Sequence, residues 1–272
     1  MEIVSVSWLK DHLDDPKLII LDASLSSPIQ QSNMNQKIRI QGARKFDLSK
    51  NFSNLSSQLP NTMPSAEQFR SEMQHLGICA DSIIVVYDQQ GIYSSPRAWW
   101  MIKSMGHKQV FVLDGGLPVW KGDEFPIEEE KEYSYPIGDF QASERHNFFC
   151  DKVYVSNVFD DSDYQIIDAR SAVRFLGSTP EPRENLRSGH IRGSINLPFR
   201  ELLKNDGCLK DKKALHRIFS SIVNKDQQLV LSCGSGVTAC ILALGAMISG
   251  HENMIVYDGS WSEWGLGKKN EI

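Results

Sequence analysis

Four segments from the first half of this chain recur in the second half in the same order, and that repeat constrains the fold more than any other feature. "LIILDAS" (18–24) is answered by "YQIIDAR" (164–170), and "IQGARKFDL" (40–48) by "IRGSINLPF" (191–199). "SIIVVYDQQG" (82–91) is answered by "QQLVLSCGSG" (227–236), and "VFVLDGGLPVW" (110–120) by "MIVYDGSWSEW" (254–264). Ordered matches at a nearly constant offset describe a tandem duplication, so each half must bury its own core. Within each half, short β-branched runs ending in Asp, Cys or Gly alternate with helical segments such as "AEQFRSEMQHLG" (66–77) and "KALHRIFSSIV" (213–223). That βαβ rhythm predicts an α/β fold with two domains, each a mainly parallel sheet flanked by helices, and sites at the carboxyl ends of strands. The stretch 121–147 is acidic, contains Pro and lacks periodicity. It reads as the connection, giving a first domain at 1–125, a linker at 126–150 and a second domain at 151–272, with the Glu run at 128–130 as a solvated face.

With 41% hydrophobic and 23% charged residues in 272, the chain has the composition of an ordinary globular protein with a sizeable core. A formal net charge of -5 and the absence of long Lys/Arg runs argue against nucleic acid or anionic membrane as partner. Small molecules are the expected ligands. The N-terminus "MEIVSVSWLKDHLDD" does not read as a secretory signal, and the longest apolar run, 237–248, is too short to span a bilayer. Five cysteines, Cys79, Cys150, Cys208, Cys233 and Cys240, form an odd set without CxxC spacing, which fits neither a disulfide scaffold nor a zinc site. The expected setting is a reducing cytoplasm in which a thiol stays reactive.

The repeat aligns Asp88 with Cys233, so only the second half carries a nucleophile at this place. Cys233 ends a strand-like run, and Gly234, Ser235, Gly236 and Val237 lead into an apolar helix expected to begin near Thr238. Glycines at alternate positions let successive N–H groups converge, and a helix N-terminus adds partial positive charge. The result is an anion cradle centred on a thiol, which favours the thiolate. Cys240, within the apolar helix, reads as a small buried hydrophobe; Cys79, Cys150 and Cys208 show no role. A cysteine in such a cradle serves a phosphatase, a redox enzyme or a sulfur carrier. A phosphatase loop needs Arg at the sixth position after the Cys, where this chain has Ala239, and a redox pair needs a second Cys at CxxC spacing. What survives is a thiol that takes an atom without a bulky anion clamp in its own loop.

The segments "CGSGVTA" (233–239), "RFLGSTPEPRENLRSGHIRGSINLPF" (174–199), "YSSPRAWWMIKSMGH" (93–107), "VLDGGLPVW" (112–120) and "YDGSWSEW" (257–264) together resemble the two-domain rhodanese family of sulfurtransferases over nearly the whole chain. Within that family the loop resembles the 3-mercaptopyruvate branch. The thiosulfate branch typically has Arg and Lys after the Cys, where Gly234 and Ser235 stand here, and Arg183 in "PEPR" is a second mark of the mercaptopyruvate branch.

The resemblance implies that Arg174 and Arg183 hold a substrate carboxylate, a role suited to the planar guanidinium fork. Arg170 is expected to pair with Asp168, His190 to be a structural hydrogen-bonding residue, and Arg187, Arg192 and Arg200 to serve as solvated surface and in structural pairing. Mercaptopyruvate-type relatives carry an acid just after the "FD" of the first half and a His further on, as partners of the loop serine. Ser49 and Asn61 occupy those places and Arg39 replaces another family His. Ser235 is therefore not activated by such a relay, although it is still expected to bind substrate through a hydrogen bond, and Asn61→Ala should change the rate little. The implied chemistry is sulfur transfer from 3-mercaptopyruvate through a Cys233 persulfide, with residues 234–238 as the stabilising loop and Gly234, Ser235, Gly236, Val237 and Thr238 its members. The partners are a small-molecule sulfur donor and a thiol, cyanide or reduced protein dithiol as acceptor. No metal or organic cofactor is implied. The rival readings are a thiosulfate:cyanide sulfurtransferase and, from another class, a non-catalytic rhodanese-type interaction module.

Overall fold

The computed structural model describes residues 1–25, 38–131, 133–224 and 226–266. It divides into two compact units: residues 1–55, 63–145 and 205–209 form the first, and 56–62, 146–204 and 210–272 the second. Residues 126–145 thus group with the first unit.

The first unit contains strands β1 (Ile3–Val4), β2 (Leu18–Asp22), β3 (Ile38–Ile40), β4 (Arg44–Lys45), β5 (Ile83–Tyr87), β6 (Val110–Leu113) and β7 (Ile127–Glu129). The second contains β8 (Phe149–Cys150), β9 (Tyr164–Asp168), β10 (Ile195–Asn196), β11 (Gln228–Ser232) and β12 (Met254–Tyr257). The first unit's sheet runs β1-β6-β5-β2-β4, and the second's, read from its own first strand, β8-β12-β11-β9-β10. Every pairing in both sheets is parallel. Parallel sheets carry helices on both faces, so their strands are continuous apolar runs. The central strands fit, with Ile84, Val85, Val86 and Tyr87 buried in β5 and Leu229, Val230 and Leu231 in β11.

Local sequence chemistry sets the helix boundaries. Ser65 caps the helix Ala66–His75 by accepting the Gln68 amide at 3.2 Å, and Asp211 caps Lys212–Ser220 by accepting the Ala214 amide at 2.9 Å. The helix Ala239–Ser249, apolar on all sides, is almost wholly buried, as a helix without a polar face must be. Its position at the end of β11 places its N-terminus next to Cys233.

The reading of the 128–130 run as a solvated face needs correction at Glu128. β7 pairs antiparallel with β3, and Glu128 accepts from Arg39 Nε at 2.8 Å and from the Gly42 amide at 3.2 Å. Arg39 is buried, so it requires a counter-charge. Glu129 and Glu130 are exposed. Cys150 also departs from its polar sequence context: as part of β8 it joins the core of the second unit, and burial pushes its thiol well above the ordinary range.

Candidate active site

Cys233 follows β11 and is 1% exposed. Its loop is held by the segment after β12, the "DGSWSEW" stretch. The Cys233 and Gly236 amides both donate to Ser260 Oγ at 3.1 Å, and that hydroxyl donates to the Tyr257 carbonyl at 2.8 Å. The Trp261 amide donates to the Cys233 carbonyl at 3.0 Å, while Ser262 donates to the Gly234 carbonyl through its amide at 2.8 Å and its hydroxyl at 2.6 Å. Ser260 is fully buried with φ at 48°, a left-handed conformation that costs a serine energy and persists because three hydrogen bonds fix it. Gly236, at φ 70°, provides the matching turn in the Cys loop.

The first unit shows what this cradle does with an anion. Asp88 replaces the cysteine, and its Oδ2 accepts the amides of Tyr93, Ser94 and Ser95 at 2.9 Å and the Ser95 hydroxyl at 2.7 Å. Those amides lead into the helix Ser95–Ser104, so the carboxylate sits on a helix N-terminus. Burial pushes the Asp88 carboxyl upward, and hydrogen bonds from the Ser95 amide, the Tyr93 amide, the Ser95 hydroxyl and the Gln90 amide oppose that. Gly116, at φ 52°, stands where the second unit has Ser260, and Leu117 donates to the Asp88 carbonyl as Trp261 does to that of Cys233. The first half's cradle is thus filled by its own side chain; the second presents a thiol.

Of the loop members expected to stabilise a persulfide, Gly236 gives its amide to Ser260, so that amide serves the loop's own shape. Among the described residues no acceptor is found for the amides of Gly234, Ser235, Val237 and Thr238. Thr238 is the N-cap residue of the helix Ala239–Ser249.

The structure brings Arg174 and Arg183 together at Gly234, the residue that follows Cys233. A Cβ built on Gly234 would lie 3.2 Å from Arg174 Nη2 and 3.6 Å from Arg183 Nη1. Arg183 Nη2 also donates to Ser235 Oγ at 3.2 Å. Sequence reasoning missed Glu181, which orients this cluster from a buried position: its Oε2 lies 2.5 Å from Arg174 Nη2 and its Oε1 2.9 Å from Arg170 Nη1. Arg170 pairs with Asp168 at 2.6 Å, as expected, and donates to the Gly189 carbonyl at 2.8 Å. His190 bonds the Phe175 carbonyl at 2.8 Å and stacks on the Phe175 ring, a structural role.

Arg187 follows the structural-pairing side of its reading and not the solvated-surface side. It lies over the Trp261 ring at 4.7 Å and donates to the Trp264 carbonyl, and burial together with nearby Arg170 lowers its pKa from the usual arginine value. An aromatic face holds a planar cation, and the sequence separation of the pair hides it from pattern reading. Arg192 does remain exposed, loosely paired with Asp160 at 3.6 Å, and Arg200 is exposed too.

Asn61 belongs to the second unit and donates from Nδ2 to Ser235 Oγ at 3.0 Å. Its φ of 59° is left-handed, which asparagine tolerates better than most residues. Ser49 instead donates to Asp47 Oδ1 at 2.6 Å. All five cysteines are free thiols, and Cys240 donates to the Gly236 carbonyl at 3.3 Å from its buried helical position. Among the described residues no cluster of His, Cys, Asp and Glu could hold a metal ion, and no helix is long and apolar enough to cross a membrane.

The model of the rhodanese-like domain matches this chain twice, at residues 5–123 and 152–266. The chain belongs to the rhodanese family. It is 39% identical over 267 residues to the 3-mercaptopyruvate sulfurtransferase of Escherichia coli K12, covering 96% of this chain and 94% of the relative. It is 36% identical over 272 residues to a thiosulfate sulfurtransferase of Rattus norvegicus, covering 96% and 91%. A crystal structure of SseA from Escherichia coli, described as a 3-mercaptopyruvate sulfotransferase with the rhodanese fold, superposes with a TM-score of 0.85 at 38% identity over 96% of this chain and 99% of that one. The rhodanese assignment fits the tandem architecture and the paired cradles, one of which carries Asp88 where the other carries Cys233.

Proposed function

We propose that this rhodanese is a sulfurtransferase that takes sulfur from 3-mercaptopyruvate and passes it, through a persulfide on Cys233, to a thiophilic acceptor. The observation that carries this reading is the convergence of Arg174 and Arg183 on Gly234, the residue after Cys233, in a loop that has no cation of its own. Two guanidinium groups at the site suit a carboxylate, while the uncharged Gly234 and Ser235 leave the compact thiosulfate dianion without charge in the loop itself.

The reaction proceeds in two displacements. Arg174 and Arg183 hold the donor carboxylate, and the Cys233 thiolate attacks the donor sulfur. The new S–S bond forms as the C–S bond breaks, and the electron pair leaves with the three-carbon unit as the enolate of pyruvate, which takes a proton on carbon. The amides of the cradle hold the persulfide in the manner in which the first unit holds the Asp88 carboxylate. An acceptor thiolate or cyanide then attacks the outer sulfur and returns Cys233 as thiolate. A reducing compartment, the cytoplasm in our reading, keeps this thiol available.

Thiosulfate use is the rival reading, because a thiosulfate sulfurtransferase is among the similar proteins. Steady-state kinetics with both donors separates the two. The expected result is a higher kcat/KM for 3-mercaptopyruvate, lowered at least ~30-fold in Arg183→Ala, the lower bound for truncating one partner of a desolvated charge pair. Thiosulfate turnover should fall much less. Equal losses for the two donors would assign Arg183 to support of the loop and remove the argument for a carboxylate donor.

A further inference from the structure

Ser235 Oγ is approached by two donors, Arg183 Nη2 at 3.2 Å and Asn61 Nδ2 at 3.0 Å. A hydroxyl has two lone pairs and one proton. Arginine accepts nothing, so the guanidinium occupies one lone pair, and the Asn61 amide as placed occupies the other. The proton of Ser235 is thereby directed away from both neighbours. The residue is 6% exposed, two positions from Cys233 and adjacent to the glycine on which Arg174 and Arg183 converge.

We propose that Asn61 is a positioning residue that fixes Ser235 as a one-way hydrogen-bond donor to the ketone oxygen of the sulfur donor. This rests on the 3-mercaptopyruvate reading above. When the C–S bond breaks, the electron pair moves onto the ketone oxygen as the enolate forms, and the Ser235 O–H, polarised by Arg183, meets the developing charge. No proton leaves Ser235; the enolate carbon is protonated from water. A base at position 61 would work the other way, drawing the serine proton towards itself, and an asparagine amide nitrogen cannot do so. The role therefore depends on the direction of one hydrogen bond.

Direction can be reversed at constant shape. Asn61→Asp is nearly isosteric and suits the left-handed backbone, since Asp shares asparagine's tolerance of φ 59°. Its ionised carboxylate has acceptors only and captures the Ser235 proton. Asn61→Ala removes one donor and leaves the proton free to reach the substrate. The measurement is the single-turnover rate of sulfur loading at saturating donor, with 3-mercaptopyruvate and with thiosulfate, which has no ketone. With 3-mercaptopyruvate, Asn61→Asp and Ser235→Ala should each lose at least about tenfold, the scale for removing a donor to a developing oxyanion, and Asn61→Ala clearly less than either. Thiosulfate loading should fall much less than mercaptopyruvate loading in Asn61→Asp, although the new negative charge opposes both anions. A space-filling role for Asn61 would rank the variants the other way, with Ala worse than the isosteric Asp, and that ranking overturns the proposal. Parallel losses for both donors overturn it as well. Wild-type protein that loads no sulfur from 3-mercaptopyruvate would instead remove the donor assignment, and the proposal with it.

Discussion

Glu181 holds Arg170 and Arg174 with a single carboxylate, and the two arginines share it at 2.9 and 2.5 Å. Removing the charge while keeping the shape leaves two guanidinium groups, one of them 1% exposed at its side chain, with a single remaining carboxylate at Asp168. Glu181→Gln is expected to cost about 3 to 5 kcal/mol of folding stability, the range for breaking a buried pair. It should also raise KM for the carboxylate donor, because Arg174 loses the partner that aims it. Chemical denaturation and donor kinetics on the same variant check both effects, and an unchanged denaturation midpoint would contradict the account. At this scale the sequence exposes residues whose type and neighbours already imply their chemistry, such as Cys233 before Gly-Ser-Gly, or Arg174 and Arg183 in an arginine-rich stretch. It conceals Glu181, Ser260 and the stacking of Arg187, because their roles depend on partners brought together by folding and, for Ser260, on a backbone angle no pattern reveals. Asn61 is visible in the sequence as a departure from the family pattern. The bond it makes to Ser235 is not.

The repeat also pairs "GH" at 106–107 with "GH" at 250–251, each following a helix and preceding the edge of the next strand. His107 bonds the Ser82 carbonyl at 2.8 Å, and His251 bonds Ser249 Oγ at 2.9 Å. Burial lowers both imidazoles, and His216 lowers His251 further. With folded values below the ordinary value of about 6.5, the unfolded chain takes up these protons first as pH falls. Their contribution to stability is intact above about 6.5 and is lost as pH falls through the folded values. The urea midpoint should therefore decline between about pH 7 and pH 5, and a His107→Gln, His251→Gln double variant should flatten that decline. A wild-type midpoint that rises on acidification over this interval would contradict the burial of the neutral rings. The main strands and helices are legible in the sequence because β-branched runs, caps and an apolar helix carry local signals. β7 is not, since three residues in an acidic segment acquire strand character only through β3 and the buried Arg39.

Across the whole molecule the duplication gives two sheets of identical strand order, each with a cradle at the end of its central strand. One cradle closes on Asp88 and the other presents Cys233. The tandem α/β architecture follows from four ordered sequence matches, whereas the grouping of residues 56–62 with the second unit and 205–209 with the first does not, because neither stretch has periodicity or a repeat partner. The first of these stretches carries Asn61, so the least legible part of the chain contributes to the site. The central claim, that the second cradle exists to carry sulfur on its cysteine, is tested by intact and peptide mass spectrometry after incubation with 3-mercaptopyruvate and removal of excess donor. The account predicts one additional sulfur atom, located on the peptide containing Cys233, released by cyanide or a dithiol and absent from Cys233→Ser. Wild-type protein that gains no sulfur, or a Cys233→Ser variant that still gains it, would contradict it.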